Sequence, residues 1–133
     1  MKSRDAVVRL KRFEVDEKRR KVAEIESMIG EFNNMITDLD RQIAIEQERA
    51  GVSDVNHYSY PTFAKAVIQR RDNLANSVLG LEAKLAAARE ELEEAGEGLK
   101  KIELLQERDA ERVRVESPAP ADLVAVGAHR VAS

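Results

Sequence analysis

The chain contains no cysteine and no tryptophan, and only two tyrosines, three phenylalanines and three prolines among its 133 residues. Without cysteine there can be neither disulfides nor thiolate metal sites, which fits a reducing compartment. The shortage of aromatics argues against a compact globule, because such side chains dominate core energetics. No apolar run approaches the length of a bilayer span; Leu123 to Val126 is among the longest. The opening Met1-Lys2-Ser3-Arg4-Asp5 is charged and leads into no apolar core of a secretory signal. These absences point to a cytoplasmic protein.

What is abundant is charge, at 35% of residues, nearly balanced to a net −3. Charge at this level with Leu, Ile, Val and Ala at regular spacing predicts long helices with one apolar seam. The balance and the spacing both argue against disorder. The length suits one folding unit.

The spacing resolves into two helical stretches. In the first, residues 3–49, an unbroken seven-residue series runs Val8, Val15, Val22, Ile29, Ile36, Ile43, ending on Ala50 just past the stretch. With these at heptad position a, the d positions are Lys11, Lys18, Ile25, Phe32, Leu39 and Glu46. β-Branched residues at a with larger ones at d suit knobs-into-holes packing. The series is cleanly apolar only from Val22 to Ile43, so the ends of this helix are expected to pair poorly or to carry another contact. In the second stretch, residues 63–115, Val78, Leu85, Leu92 and Leu99 occupy a, and Leu74, Leu81, Ala88, Ala95 and Ile102 occupy d. Gly96 and Gly98 soften it without breaking the heptad phase.

Between them, residues 50–62 hold Gly51, Ser53, Asp54, Asn56 and Pro61, all turn formers. Residues 116–133 begin Ser117-Pro118-Ala119-Pro120 just after the last helical residue and are expected to be a disordered tail. A connection of about a dozen residues forces the helices into opposite directions. Charge agrees: residues 1–21 carry nine basic and four acidic groups, and residues 90–116 carry ten acidic and five basic. Position i then faces roughly position 112 minus i. The expected fold is all-α, an antiparallel coiled-coil hairpin with a disordered C-terminal tail.

Little here suggests chemistry. His57 and His129 are isolated, Glu90-Glu91-Glu93-Glu94 fits a solvated helix face, and no phosphate loop or nucleophile motif occurs. No catalytic residue, metal or cofactor is expected, and the chain does not read as an enzyme. The basic run Lys18-Arg19-Arg20-Lys21 has acidic neighbours and no interleaved aromatics, so nucleic acid is not an expected partner.

Two regions stand apart as docking candidates. Tyr58, Tyr60 and Phe63 fall within six residues, and Phe63 opens a stripe through Val67 and Leu74 beside Arg70 and Arg71. They form either a cap that staples the turn or an exposed recognition patch, since aromatics with arginine anchor interfaces. At the other end Leu10 and Phe13 lie off the a/d series among Arg4, Arg9, Lys11 and Arg12.

The segments Arg9-Leu10-Lys11-Arg12-Phe13, Asp16-Glu17-Lys18-Arg19-Arg20, Tyr60-Pro61-Thr62-Phe63-Ala64-Lys65-Ala66 and Leu104-Leu105-Gln106-Glu107-Arg108 resemble the alphaproteobacterial type of the flagellar export protein FliJ family. The resemblance covers about residues 1–115. It implies a cytoplasmic component of the flagellar type III export apparatus, peripherally associated with the inner membrane at the flagellar base. Such a protein is a stalk-like activator of the export ATPase ring, couples it to the cytoplasmic domain of the membrane export gate, and recycles export chaperones. It is a monomer when free. Carried over by position, gate binding falls on Phe63, Val67, Arg70 and Leu74. Arg70 stands where the family has a small apolar residue and Leu74 where it has a histidine. Contact with the ATPase ring falls on Leu10, Arg12 and Phe13 opposite Leu104 and Arg108.

Three further readings share this architecture. A prefoldin-like chaperone would insert β-hairpins at the turn, and residues 50–62 lack the alternating pattern for them. An injectisome stalk would look the same. A homodimeric scaffold would pair the helix 2 heptads between chains.

Overall fold

A computed structural model of the chain describes residues 2–116. The expected tail, with His129, lies outside the described residues apart from Glu116, which closes the second helix. Helix α1 spans Lys2–Ala50 and helix α2 spans Thr62–Glu116, each within one residue of the sequence expectation at either end. No strand occurs among the described residues, the connection included.

The reversal is made locally. Gly51 takes a left-handed φ of 69°, and its N–H reaches the Gln47 carbonyl at 2.9 Å, capping α1. Asp54 then organises the connection: its carboxylate accepts the Asn56 N–H at 2.9 Å and its carbonyl accepts the His57 N–H at 3.0 Å. The His57 carbonyl accepts the Tyr60 N–H at 3.0 Å, and the Pro61 carbonyl accepts the first bond of α2, from Lys65, at 3.2 Å. Pro61 therefore stands one place ahead of the first helical residue, where its missing N–H costs nothing.

The helices pack as an antiparallel coiled-coil hairpin, and the inter-helix register is the expected one. The pairs Lys21–Glu91, Glu26–Arg89 and Asp40–Arg71 have residue numbers adding to 112, 115 and 111. The packing separates into two units. A turn unit comprises Glu17–Leu92, and a terminal unit comprises residues 1–16 with 93–133, described here over 2–16 and 93–116.

In the turn unit the seam is apolar. Ile25, Leu81, Leu85 and Ala88 form one buried cluster, with Val22, Ile29 and Phe32 packed against it. Leu39, Ile43 and Val67 form a second, backed by Ile68 and Leu74. Every one of these except Ile68 stands at an a or d position, the α2 phase continuing back from Leu74 through Val67 to Tyr60.

The terminal unit is built differently. Its buried apolar residues are Val8 and Val15, 2% and 4% exposed, so the first turns of α1 pair more tightly than the charged d positions suggested. Lys11 is half-buried between them, and so is Lys18 in the turn unit. A lysine at d can lay its aliphatic stem along the seam while the ammonium reaches water or an acid at the edge. Lys11 meets Glu14 at 3.5 Å and Lys18 meets Glu91 at 3.0 Å. Further along, the d positions of both helices are charged: the Arg4 guanidinium donates to the Asp109 carboxylate. Beside it Gln106 donates to Asp5, and Arg12 pairs with Glu103 at 3.1 Å.

Candidate functional site

Heptad position sorts the surface into outward faces and two flanks. In the turn unit, one flank carries the e positions and is spanned by Glu26–Arg89 at 3.4 Å, with Asp40–Arg71 at 3.2 Å on the same side. Arg71 sits between Asp72 and Asp40, and the hydrogen bonds that it donates to both carboxylates raise its pKa above the ordinary arginine value. The other flank carries the g positions, with Met28, Met35 and Gln42 on α1 opposite Lys84, Ser77 and Arg70 on α2. It opens into a groove of about 330 Å³ over Leu39 and Leu74. At one end of this flank Lys18 and Lys21 converge on Glu91, and the Lys18 hydrogen bond, with the charge of both lysines, holds its carboxyl below the usual glutamate range.

The three aromatics around the turn have separate fates. Tyr60 is the cap: it is 4% exposed, and its hydroxyl accepts a hydrogen bond from Gln47 Nε2 at 2.9 Å. Tyr58 is 94% exposed and stacks on His57 with ring centroids 4.6 Å apart. The His57 ring is in turn oriented by its Nδ1 accepting the Ser59 N–H at 3.0 Å. Phe63, at 57% exposure, stands at a g position on the open flank.

The stripe carried over for gate binding is accordingly divided. Val67 is buried against Leu39 and Ile43, and Leu74 is half-buried beside them, so both serve the seam. Phe63 and Arg70 are at the surface, and Arg70 lines the groove with Leu74. Continuing the α2 heptads backwards would have assigned Val67 to d and Phe63 to g from sequence alone. Met35 and Gln42 form the groove's α1 wall.

At the terminal unit, Leu10, Phe13 and Leu104 are each more than half exposed, and Arg12 and Arg108 are exposed. Leu10 and Phe13 occupy c and f on the back of α1, while Leu104 and Arg108 occupy f and c on the back of α2. They do not form one patch. The helix pair instead presents apolar side chains on both of its outward faces, and Arg12 lies on the flank between, tied to Glu103. A second groove, of about 880 Å³, runs along α2 here past Leu104, Ala110 and Val113, edged by Arg4 and Asp5 of α1.

No protein-family model, curated protein or solved structure matches this chain.

Among the described residues no three His, Asp or Glu side chains converge to hold a metal ion, and no helix is long and apolar enough to cross a membrane. The surface exposes apolar groups in two arrangements: side chains on opposite outward faces in the terminal unit, and an open groove with exposed aromatics in the turn unit.

Proposed function

We propose that this chain is a soluble, cytoplasmic component of a flagellar type III export apparatus, a stalk-like activator that links the export ATPase ring to the membrane export gate and acts without an active site of its own. The observation that carries this reading is the terminal unit's exposed apolar residues, Leu10 and Phe13 on one back and Leu104 on the other. A flat partner would cover one of these faces and leave the other wet. A ring that surrounds the helix pair covers both, and its wall would also meet the exposed Arg12 and Arg108. The family resemblance over residues 1–115 supports the same assignment. Gate docking falls to the exposed members of the second set, Phe63 and Arg70, with Leu74 at the groove floor and Val67 supporting them from the seam. Export chaperones are further partners on this reading.

Added to purified export ATPase, the protein should raise ATP hydrolysis and ring formation several-fold. The double variant Phe13→Asp with Leu104→Asp should lose that stimulation at unchanged helicity, because both side chains are exposed. Full stimulation by the double variant would remove the ring-pore assignment. Phe63→Ala should weaken binding to the gate's cytoplasmic domain with no change in melting, since Tyr60 and not Phe63 caps the turn.

A further inference from the structure

We propose that the open flank of the turn unit is a self-association surface, on which a second copy of this chain docks with its two-fold axis parallel to the helices. The inference does not depend on the export reading. It starts from the contrast between the two flanks: one is bridged by ion pairs, while the other exposes Met28, Met35 and Phe63 around the groove over Leu39 and Leu74. Methionine adapts its shape to an incoming surface and is common where proteins meet.

Charge identifies the occupant. Along the outer edge of this flank α1 carries Glu24, Glu31 and Asp38 at c positions, and α2 carries Arg70 and Lys84 at g. Among the described residues, Arg70, Lys84, Glu24 and Glu31 have no ion pair, and Asp38 meets only Arg41 of its own helix, at 3.5 Å. The flank thus has an acidic side and a basic side. A two-fold axis along the helices lays α1 of each copy against α2 of the other, antiparallel, so that acid meets base. By the register in which residue i lies level with 112 minus i, Lys84 then reaches the second copy between Glu24 and Glu31. Arg70 arrives beside Asp38. Phe63 comes level with Arg49 and next to Ile45, which is 49% exposed on the α1 edge. An axis running across the helices would instead set α1 on α1, with acid against acid.

The contact from Phe63 to Lys84 extends over roughly 32 Å of helix and is about 20 Å wide. That is on the order of 600 Å² per copy, near the lower bound for a stable pair, so association should be reversible and concentration-dependent. It covers Phe63 and Arg70, so self-pairing and any other use of this flank exclude each other. A free chain that self-associates departs from the monomer implied by the family resemblance.

The test is sedimentation equilibrium of the full chain up to sub-millimolar concentration, with helicity followed in parallel. Twice the chain mass is expected, returning to one chain mass in Met35→Glu at unchanged helicity. Single-cysteine variants then fix the axis. Mixed Met35→Cys and Ser77→Cys chains should form the 35–77 disulfide in preference to 35–35. A single-chain mass throughout would overturn the proposal. So would a doubled mass that Met35→Glu leaves intact, which would place the association elsewhere, or a dominant 35–35 link.

Discussion

The two units use one heptad register to opposite ends. In the turn unit both buried clusters fill a and d with apolar side chains, most of them branched. In the terminal unit Val8 and Val15 are the buried apolar residues, and Arg4, Lys11, Gln106 and Asp109 stand where leucines would otherwise be. Leu99 and Ile102 are only half-buried at their seam positions, and Leu10, Phe13 and Leu104 face outward. A seam of this kind holds the helices in register through directional charge contacts while adding little cohesion, because exposed ion pairs contribute only about 0–1 kcal/mol each. The turn unit is thus where the hairpin gets most of its stability, and the terminal unit leaves more of its apolar surface exposed.

The largest expected effect tests that division directly. Leu81→Ala opens the cluster of Ile25, Leu85 and Ala88 and should cost about 2–4 kcal/mol in denaturant unfolding. Leu104→Ala, outward in the terminal unit, should stay within about 0.5 kcal/mol. Equal losses would end the distinction. Next comes the cap: Tyr60→Phe removes the partner of Gln47 Nε2 and should lower stability by roughly 1 kcal/mol, measured by the same unfolding curves. Gly96→Ala and Gly98→Ala should each stabilise the terminal unit, by about 0.5–1 kcal/mol, since a Cβ at either position meets nothing within 4 Å. A loss at either would show that α2 needs a glycine there.

Two smaller effects sharpen the comparison further. Raising salt should speed amide exchange over residues 2–16 and 93–116 while leaving the clusters of the turn unit protected, because charge contacts are screened and apolar burial is not. The least effect is at Glu91. Its carboxyl is held below the usual glutamate range by Lys18 and Lys21, so the contribution of this contact is fully present above the unfolded-state value and is lost as pH falls through the lowered one. Carbonyl NMR should find its midpoint below the ordinary glutamate value, and Lys18→Met should move it up.

Most of the architecture was legible because the heptad is a strong periodic signal and a short connection leaves one way to pair two helices. The centre of the turn near residue 56 set the register, the charge gradient agreed with the orientation, and the ion pairs keep the register to within a few residues. What escaped depended on things that periodicity does not encode. Charged d positions read as a failing seam, yet lysine stems let Val8 and Val15 pack. Which of Tyr58, Tyr60 and Phe63 turns inward follows from two consecutive turns at Asp54 and His57, which set Tyr60 against Gln47. The candidate docking residues were legible only as clusters; their division between seam and surface required carrying the α2 phase back across Val67.

Gly51 and the turns after it bring Gln47 and Tyr60 together across only 13 residues, whereas Arg4 and Asp109 meet across 105. The entropy of closing the first of these loops is small, and each further layer of the seam lengthens the loop by a few residues at each end. Assembly can therefore proceed as a zipper from the bend, with no long-range search at any stage. During synthesis the basic start of α1 must wait for its acidic complement until nearly all of α2 has been made, and in that interval Val8 and Val15 are uncovered. A nascent chain of this design stays dependent on its ribosomal surroundings longest at the first turns of α1.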